Sequence, residues 1–135
     1  MTDATDVTKH TPEPPLPLVY IAAPYLAPDP VWNTHDVIKL ASRLYETKLV
    51  VPLVPHLTLL WHAIEPHPAE YWYDYDLHLL RRCDAVLRVT GPSKGADVET
   101  DEAASLGIPV FRDEAALLAW AGGSDPQTRP PNSLA

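Results

Sequence analysis

Four short apolar runs punctuate the chain, and the spacing between them leaves room for helices. They are Leu18-Val19-Tyr20-Ile21-Ala22, Leu49-Val50-Val51-Pro52-Leu53-Val54, Asp84-Ala85-Val86-Leu87-Arg88-Val89 and Ile108-Pro109-Val110-Phe111. Runs of this length, rich in β-branched residues and bounded by Pro, Gly and Asp, read as buried strands. Between the first two, residues 31–47 place Val37, Ile38, Ala41, Leu44 and Tyr45 at helical spacing, and Asp29-Pro30 supplies an N-cap and a first helical residue. Residues 58–64 predict a short helix that Glu65-Pro66-His67-Pro68 breaks. Residues 69–82 predict a longer one with an apolar stripe of Tyr71, Trp72, Tyr75, Leu79 and Leu80. A helix over 100–106 is ended by Gly107, and one over 113–120 is stopped by Gly122 and Gly123. This alternation predicts an α/β fold: a Rossmann- or flavodoxin-like three-layer sandwich around a parallel sheet of about four or five strands. Pro52 marks the second strand as an edge strand, or one that ends near there.

The 135 residues, 46% of them hydrophobic, suffice for one compact domain, placed at residues 17–122. The ends carry clustered prolines, Pro12, Pro14 and Pro15 on one side and Pro126, Pro130 and Pro131 on the other. Residues 1–16 and 123–135 therefore read as disordered tails. A formal net charge of −8 argues against a nucleic-acid polymer or an anionic membrane as partner, while leaving room for a small anion at a local site. There is no signal peptide and no apolar run near the roughly 18 residues of a membrane helix. Cys83 is the single cysteine, so no internal disulfide forms and a reducing cytoplasm is the expected location.

In a doubly wound sheet the ligand sits beyond the carboxyl ends of the strands, at the point where strand order reverses. That rule gathers the segments after Ala22, Val54 and Val89, which carry Tyr25, His56, Ser93 and Glu99; Tyr20 lies within the first strand near its exit. The stretch Ser93-Lys94-Gly95-Ala96-Asp97-Val98-Glu99 reads as a phosphate-sized loop running into a helix start. The free N–H groups and partial positive charge there suit an anion. Glu99 is expected in the first turn of that helix, where a carboxylate is stabilised in its charged form. Asp76 follows Trp72 by four positions and shares its helix face. The aromatics Tyr71, Trp72, Tyr73 and Tyr75 would desolvate Asp76 and offer a surface for a planar ring. His56, His62 and His67 lack ligand-like spacing, and neither a GxGxxG nor a Walker motif occurs, so no metal and no cofactor are expected. Arg81, Arg82 and Arg88 read as a solvated face, and Cys83 as a small apolar residue.

These residues resemble the nucleoside 2-deoxyribosyltransferase superfamily, which includes nucleotide N-glycosidases, and the likeness is greatest to its short bacterial and phage members. The resemblance covers about residues 19–111. It rests on Val19-Tyr20-Ile21-Ala22-Ala23-Pro24-Tyr25; Tyr71-Trp72 with Asp76; Leu80 with Cys83-Asp84-Ala85; and Ser93-Lys94-Gly95 with Glu99, Ala103 and Gly107-Ile108-Pro109-Val110. It implies cleavage of the N-glycosidic bond of 2′-deoxynucleosides or their 5′-monophosphates through a covalent glycosyl–Glu99 intermediate, by base exchange or by hydrolysis. Glu99 would be the nucleophile, Tyr20 would orient it, and Asp76 would protonate the departing base. Tyr25, His56, Trp72, Ser93 and Gly95 would line the substrate site. In the family, serine at the place of Ser93 goes with a 5′-phosphate, and aspartate there with a free 5′-hydroxyl. The family has glycine where this chain has Asp97, a carboxylate that would repel a phosphate or serve as the helix N-cap. The family also completes its pocket from a neighbouring subunit, which implies a homodimer or larger homo-oligomer. Two alternatives stay open: a non-catalytic nucleotide-sensing module on the same fold, supported by Asp97, and an NAD-cleaving enzyme on a related one.

Overall fold

The computed structural model describes residues 15–123. The expected tails, apart from residues 15, 16 and 123, lie outside the described residues. Nine regular elements follow in order: β1 Leu18–Ala22, α1 Pro30–Glu46, β2 Val51–Leu53, α2 Thr58–Ile64, α3 Ala69–Leu80, β3 Ala85–Arg88, α4 Lys94–Ser105, β4 Val110–Phe111 and α5 Glu114–Ala121. A 3₁₀ turn at Pro55–Leu57 leads into α2 where an irregular loop was expected. The four strands form one parallel sheet in the order β2-β1-β3-β4. The fold is thus α/β with a flavodoxin-like strand order, as the alternation predicts.

β1 sits at the centre, and Val19, Tyr20, Ile21 and Ala22 are all fully buried. Period-2 alternation sends its side chains to two different cores. Val19 and Ile21 pack with Val37, Leu40 and Leu44 of α1 and with Leu117 of α5. Tyr20 and Ala22 pack with Leu80 of α3, Val86 of β3, and Ala96 and Ala103 of α4. The sheet is covered on both sides, which is why its strands read as continuous apolar runs. β2 is an edge strand. Val51 donates its N–H to the Pro17 carbonyl on the β1 side, so the alternate position, Pro52, turns its ring nitrogen to the open edge where no donor is needed.

β1 matches its apolar run, and the other three strands are trimmed relative to theirs. The run and the ladder differ because burial extends past pairing: Val50 is fully buried just before β2 begins. Beyond β3, the Val89 N–H still reaches the Ala22 carbonyl, and before it the Asp84 carboxylate accepts the Leu18 N–H at 2.8 Å. α1 starts as predicted, with the Asp29 side chain accepting from the Val31 N–H and Pro30 in the first turn. Its inward stripe is Thr34, Val37, Leu40 and Leu44, whereas Ile38 and Tyr45 face solvent. On α3 the only fully buried residue is Leu80, because the aromatics of its first turns pack on α2 rather than on the sheet.

The largest departure is at α4. The helix begins at Lys94, not near Thr100, because Ser93 is the cap: its Oγ accepts the Ala96 N–H at 3.1 Å from an extended backbone. Gly95, read as part of a turn, is helical. Glu99 therefore lies in the second turn. Among the described residues no helix is long and apolar enough to cross a membrane.

Leu44 is fully buried against β1, while Leu60 on α2 is two-thirds exposed. We expect Leu44→Ala to lower stability by about 2–5 kcal/mol and Leu60→Ala to change it by less than about 0.5 kcal/mol. Both are measured by chemical denaturation, and equal costs would contradict this assignment of the core.

Candidate active site

The strand order reverses between β1 and β3: the chain leaves β1 to one side for β2 and returns to the other for β3. A crevice therefore opens beyond their carboxyl ends. Three loops meet there. The His56 ring, after β2, reaches the Pro24 carbonyl, after β1, at 2.8 Å. Gly91, after β3, approaches Pro24 so closely that an added Cβ would lie 2.9 Å from its Cγ. Gly91 also has φ +132°, which side-chain-bearing residues rarely adopt.

Into this crevice three elements project titratable groups. Tyr20, from the middle of β1, donates its hydroxyl to Glu99 Oε2 on α4. Asp76 comes from α3, and its Oδ1 is buried with no hydrogen-bond partner among the described residues. The charges of Asp76 and Glu99 both act on Tyr20. Burial first, and these two carboxylates second, push the Tyr20 hydroxyl far above its ordinary range, so it stays a donor. Burial lifts Asp76 to about 7. Burial is also the largest influence on Glu99, raised to about 8; the Tyr20 hydrogen bond and the Arg88 charge oppose the rise, and Asp76 adds to it. Two carboxyls this near each other titrate as a pair, which holds one proton between those two values.

The helix-dipole account of Glu99 is overturned. One turn further in than expected, the carboxyl is dominated by desolvation, which favours its neutral form. The reading of Arg88 is overturned as well. Arg88 is 7% exposed at the end of β3, opposite Ala22 in register. Its guanidinium donates to the carbonyls of Val89 and Gly91, and to Asp97 Oδ1 at 3.0 Å. Asp97 is accordingly not the helix N-cap but a largely exposed carboxylate paired with a buried arginine.

The other predicted residues take distinct places. His56 is 4% exposed. Since the Pro24 carbonyl can only accept, the His56 proton sits on Nε2, leaving Nδ1 buried without a partner among the described residues. Burial lowers the His56 pKa against the opposing pull of that hydrogen bond. Tyr25 stacks edge-on against His56, and its hydroxyl is raised by burial and by the Asp76 charge. Gly95 carries the Tyr73 ring: a Cβ there would lie 3.4 Å from Tyr73 Cε1. Trp72 donates its indole N–H to His62 Nδ1 at 2.8 Å and belongs to an aromatic cluster with Trp61, Tyr71 and Tyr75. Trp61 was not singled out from the sequence, although its place on a short predicted helix before an aromatic one was visible. An apolar cavity of about 400 Å³ opens between the edge of β2 and helices α2 and α3, lined by Leu53, Pro55, Trp61, Tyr75 and Leu79 among others; neither Tyr20, Asp76 nor Glu99 lines it. Cys83 is buried, as expected of a small apolar residue, and burial pushes its thiol up to about 12. Among the described residues no three His, Cys, Asp or Glu side chains gather as metal ligands.

No protein-family model matches the chain, and no curated protein matches it. Among solved structures, it is similar to a 2-deoxyribosyltransferase from the psychrotolerant bacterium Bacillus psychrosaccharolyticus. The identity is 16% and the TM-score 0.48, over 69% of each chain.

The raised carboxyls give a stability signature. In the unfolded chain Asp76 and Glu99 ionise near 3.8 and 4.5, whereas the folded protein keeps their protons to about 7 and about 8. The folded state then binds more protons than the unfolded chain, so stability is full below those unfolded values and is lost as pH rises through the folded ones. His56 acts in the opposite sense only below its ordinary 6.5. We expect the thermal midpoint to fall between about pH 6.5 and pH 8, and Glu99→Gln to flatten that fall. A midpoint that rises across the window contradicts the burial of the pair.

Proposed function

We propose that the protein cleaves the N-glycosidic bond of a 2′-deoxynucleoside or its 5′-monophosphate, with Glu99 as nucleophile and Asp76 as acid. The observation that carries this reading is the meeting of Tyr20, Asp76 and Glu99, from three separate elements, in one desolvated crevice. Paired carboxyls serve glycosidic cleavage, one attacking and one donating a proton. The geometry supports that division. Glu99 has a hydrogen-bond donor in Tyr20 and a positive charge in Arg88, both of which favour its ionised form. Asp76 Oδ1 has neither; burial leaves Glu99 the higher of the two in the free protein, and in this reading the reaction starts once that proton has passed to Asp76 and Glu99 is ionised.

In this reading Glu99 Oε1, the oxygen opposite the Tyr20 bond, forms a bond to the anomeric carbon. The C1′–N bond breaks, its electron pair goes to the base, and Asp76 delivers the proton. Water, or a second base, then attacks the same carbon, Glu99 leaves as a carboxylate, and Asp76 recovers the proton. Desolvation strengthens each of these electrostatic steps. Ser93 accepts the Ala96 N–H with its oxygen and keeps its own O–H to donate to a 5′-phosphate. Gly95 and Tyr25 would lie along the same mouth, Trp72 would bound the base, and His56 would hold the Pro24 loop in place. Asp97, held on Arg88, offers less repulsion to a phosphate than a free carboxylate would. A homo-oligomer whose neighbouring subunit closes the crevice belongs to this proposal, as does a cytoplasmic setting.

The test is incubation of the protein with deoxynucleosides and their 5′-monophosphates, with free base followed by chromatography. We expect base release, more from the monophosphates, and its loss in Glu99→Ala. Asp76→Asn should lower kcat by about 10²–10⁴-fold, and Tyr20→Phe by about 10–100-fold, the value of a hydrogen bond to a charged group. Full activity in Glu99→Ala would sink the assignment. A thermal shift on adding nucleotide, with no turnover of any substrate, would instead favour the binding module.

A further inference from the structure

Among the described residues Arg88 is the one buried arginine, and the sheet does not need it there for packing. Its neighbour on the same strand face, Val86, and its partner in register, Ala22, are apolar. Burying a guanidinium costs several kcal/mol before compensation. The compensation is specific. In the β3–α4 loop the Val89 carbonyl accepts from Nη1 and the Gly91 carbonyl from Nη2, Asp97 of α4 also accepts from Nη2, and Nε remains without a partner among the described residues. Asp97 lies two positions before Glu99 on the same helix. Arg88 thus ties the loop that leaves β3 to the helix that carries the reactive carboxyl, from the sheet face that also bears Tyr20.

We propose that Arg88 is a positioning residue for Glu99: the guanidinium, fastened between the β3–α4 loop and Asp97, is the fixed positive charge that faces the glutamate, and Asp97 sets how much of that charge the glutamate feels. The proposal takes Glu99 as the reactive group of the preceding section. An arginine suits the task because it does not lose its proton at any working pH. A helix N-terminus does not serve instead, since Glu99 sits in the second turn of α4 and the dipole's influence fades within the first turn.

The groups that face Glu99 are few. β1 supplies the Tyr20 hydroxyl, α3 supplies Asp76, and β3 supplies Arg88. On α4 itself, Asp97 acts through Arg88. Farther along α4, Glu102 is paired across to Arg81 at the end of α3, at 2.8 Å. Lys94 is exposed at the start of the helix. Of these, Arg88 is the only cation that acts on Glu99 directly. Its removal and the removal of its counter-charge should move Glu99 in opposite directions. That pairing separates an electrostatic role from a merely structural one, since loosening the loop from either side would act in one direction.

The test is a ¹³C NMR titration of the Glu99 side-chain carboxyl in the full chain, assigned by its loss in Glu99→Gln. It is run on the parent, Arg88→Met, Arg88→Lys and Asp97→Asn. We expect Arg88→Met to raise the Glu99 midpoint by about 1 unit or more, Arg88→Lys to restore most of that shift, and Asp97→Asn to lower the midpoint. Midpoints that stay put, or that move the same way in Arg88→Met and Asp97→Asn, overturn the proposal. If Arg88→Met fails to fold, Asp97→Asn at the surface decides alone: a lowered midpoint supports the role, and an unchanged one overturns it. Where substrate turnover is found, the acidic limb of its pH profile should move with the NMR midpoint. The titration needs no turnover, so a protein without activity would defeat the glycosidase reading while leaving this one testable.

Discussion

The Tyr20 hydroxyl is a polar atom in the middle of a strand that no solvent reaches. Because β1 is central and covered on both faces, Tyr20 cannot turn outward, and a buried phenol without a partner costs about 1–3 kcal/mol. Its partner is Glu99. That single hydrogen bond fixes the height of α4 over the sheet and brings a second group, itself costly to bury, into the same dry space. Each compensation then calls for another. Glu99 draws on Arg88, Arg88 draws on loop carbonyls and on Asp97, and only Asp97 returns to solvent. The site is a chain of paired polar groups running from the core of the sheet to its rim, with Arg88 Nε left without a partner among the described residues.

Asp76 stands outside that chain. It reaches the same crevice from α3, and nothing among the described residues satisfies its Oδ1. Native interiors tolerate few such atoms, and an unsatisfied acceptor beside a desolvated carboxyl is an arrangement that stability alone would not select. The aromatic cluster of Trp61, Tyr71, Trp72 and Tyr75 flanks α3 and leaves its first turns off the sheet. α3 is therefore anchored at its end, by Leu80, and its middle is free to present Asp76. Two carboxyls with unequal support in one crevice are set apart by their surroundings rather than by their chemistry.

Most of the fold could be read from the sequence because a doubly covered parallel sheet writes its strands as apolar runs. β1 and α2 fall on the residues expected, and the edge position of β2 follows from Pro52. What was misread has physical causes. Gly95 looked like a turn residue, but the Ser93 cap outweighs its modest helix penalty and starts α4 early. Arg88 looked solvated because arginine usually is. The signal that contradicts this was present: in a strand whose faces are both covered, a charge within the run has no exposed side to occupy, and Asp97 nine residues later is its counter-charge. The aromatics of α3 were read as one apolar stripe. Spacing tells which residues share a face, not which neighbour covers it, and here α2 does.

The one-turn displacement of Glu99 changes the electrostatics of the whole mouth. Had α4 begun near Thr100, the helix start would have been occupied by Glu99, and its unpaired N–H groups would have served that carboxylate. With the start at Lys94, Ser93 satisfies only the Ala96 N–H, and the remaining first-turn donors lie ahead of Glu99 rather than beneath it. An anion at the helix start and an ionised glutamate one turn in then draw on different sources of positive potential, backbone dipoles for the first and Arg88 for the second. Asp97 stands between the two, close enough to Arg88 to spend its charge there. Asp97 therefore divides the helix start from Glu99, so that the backbone dipoles act on the first and Arg88 on the second.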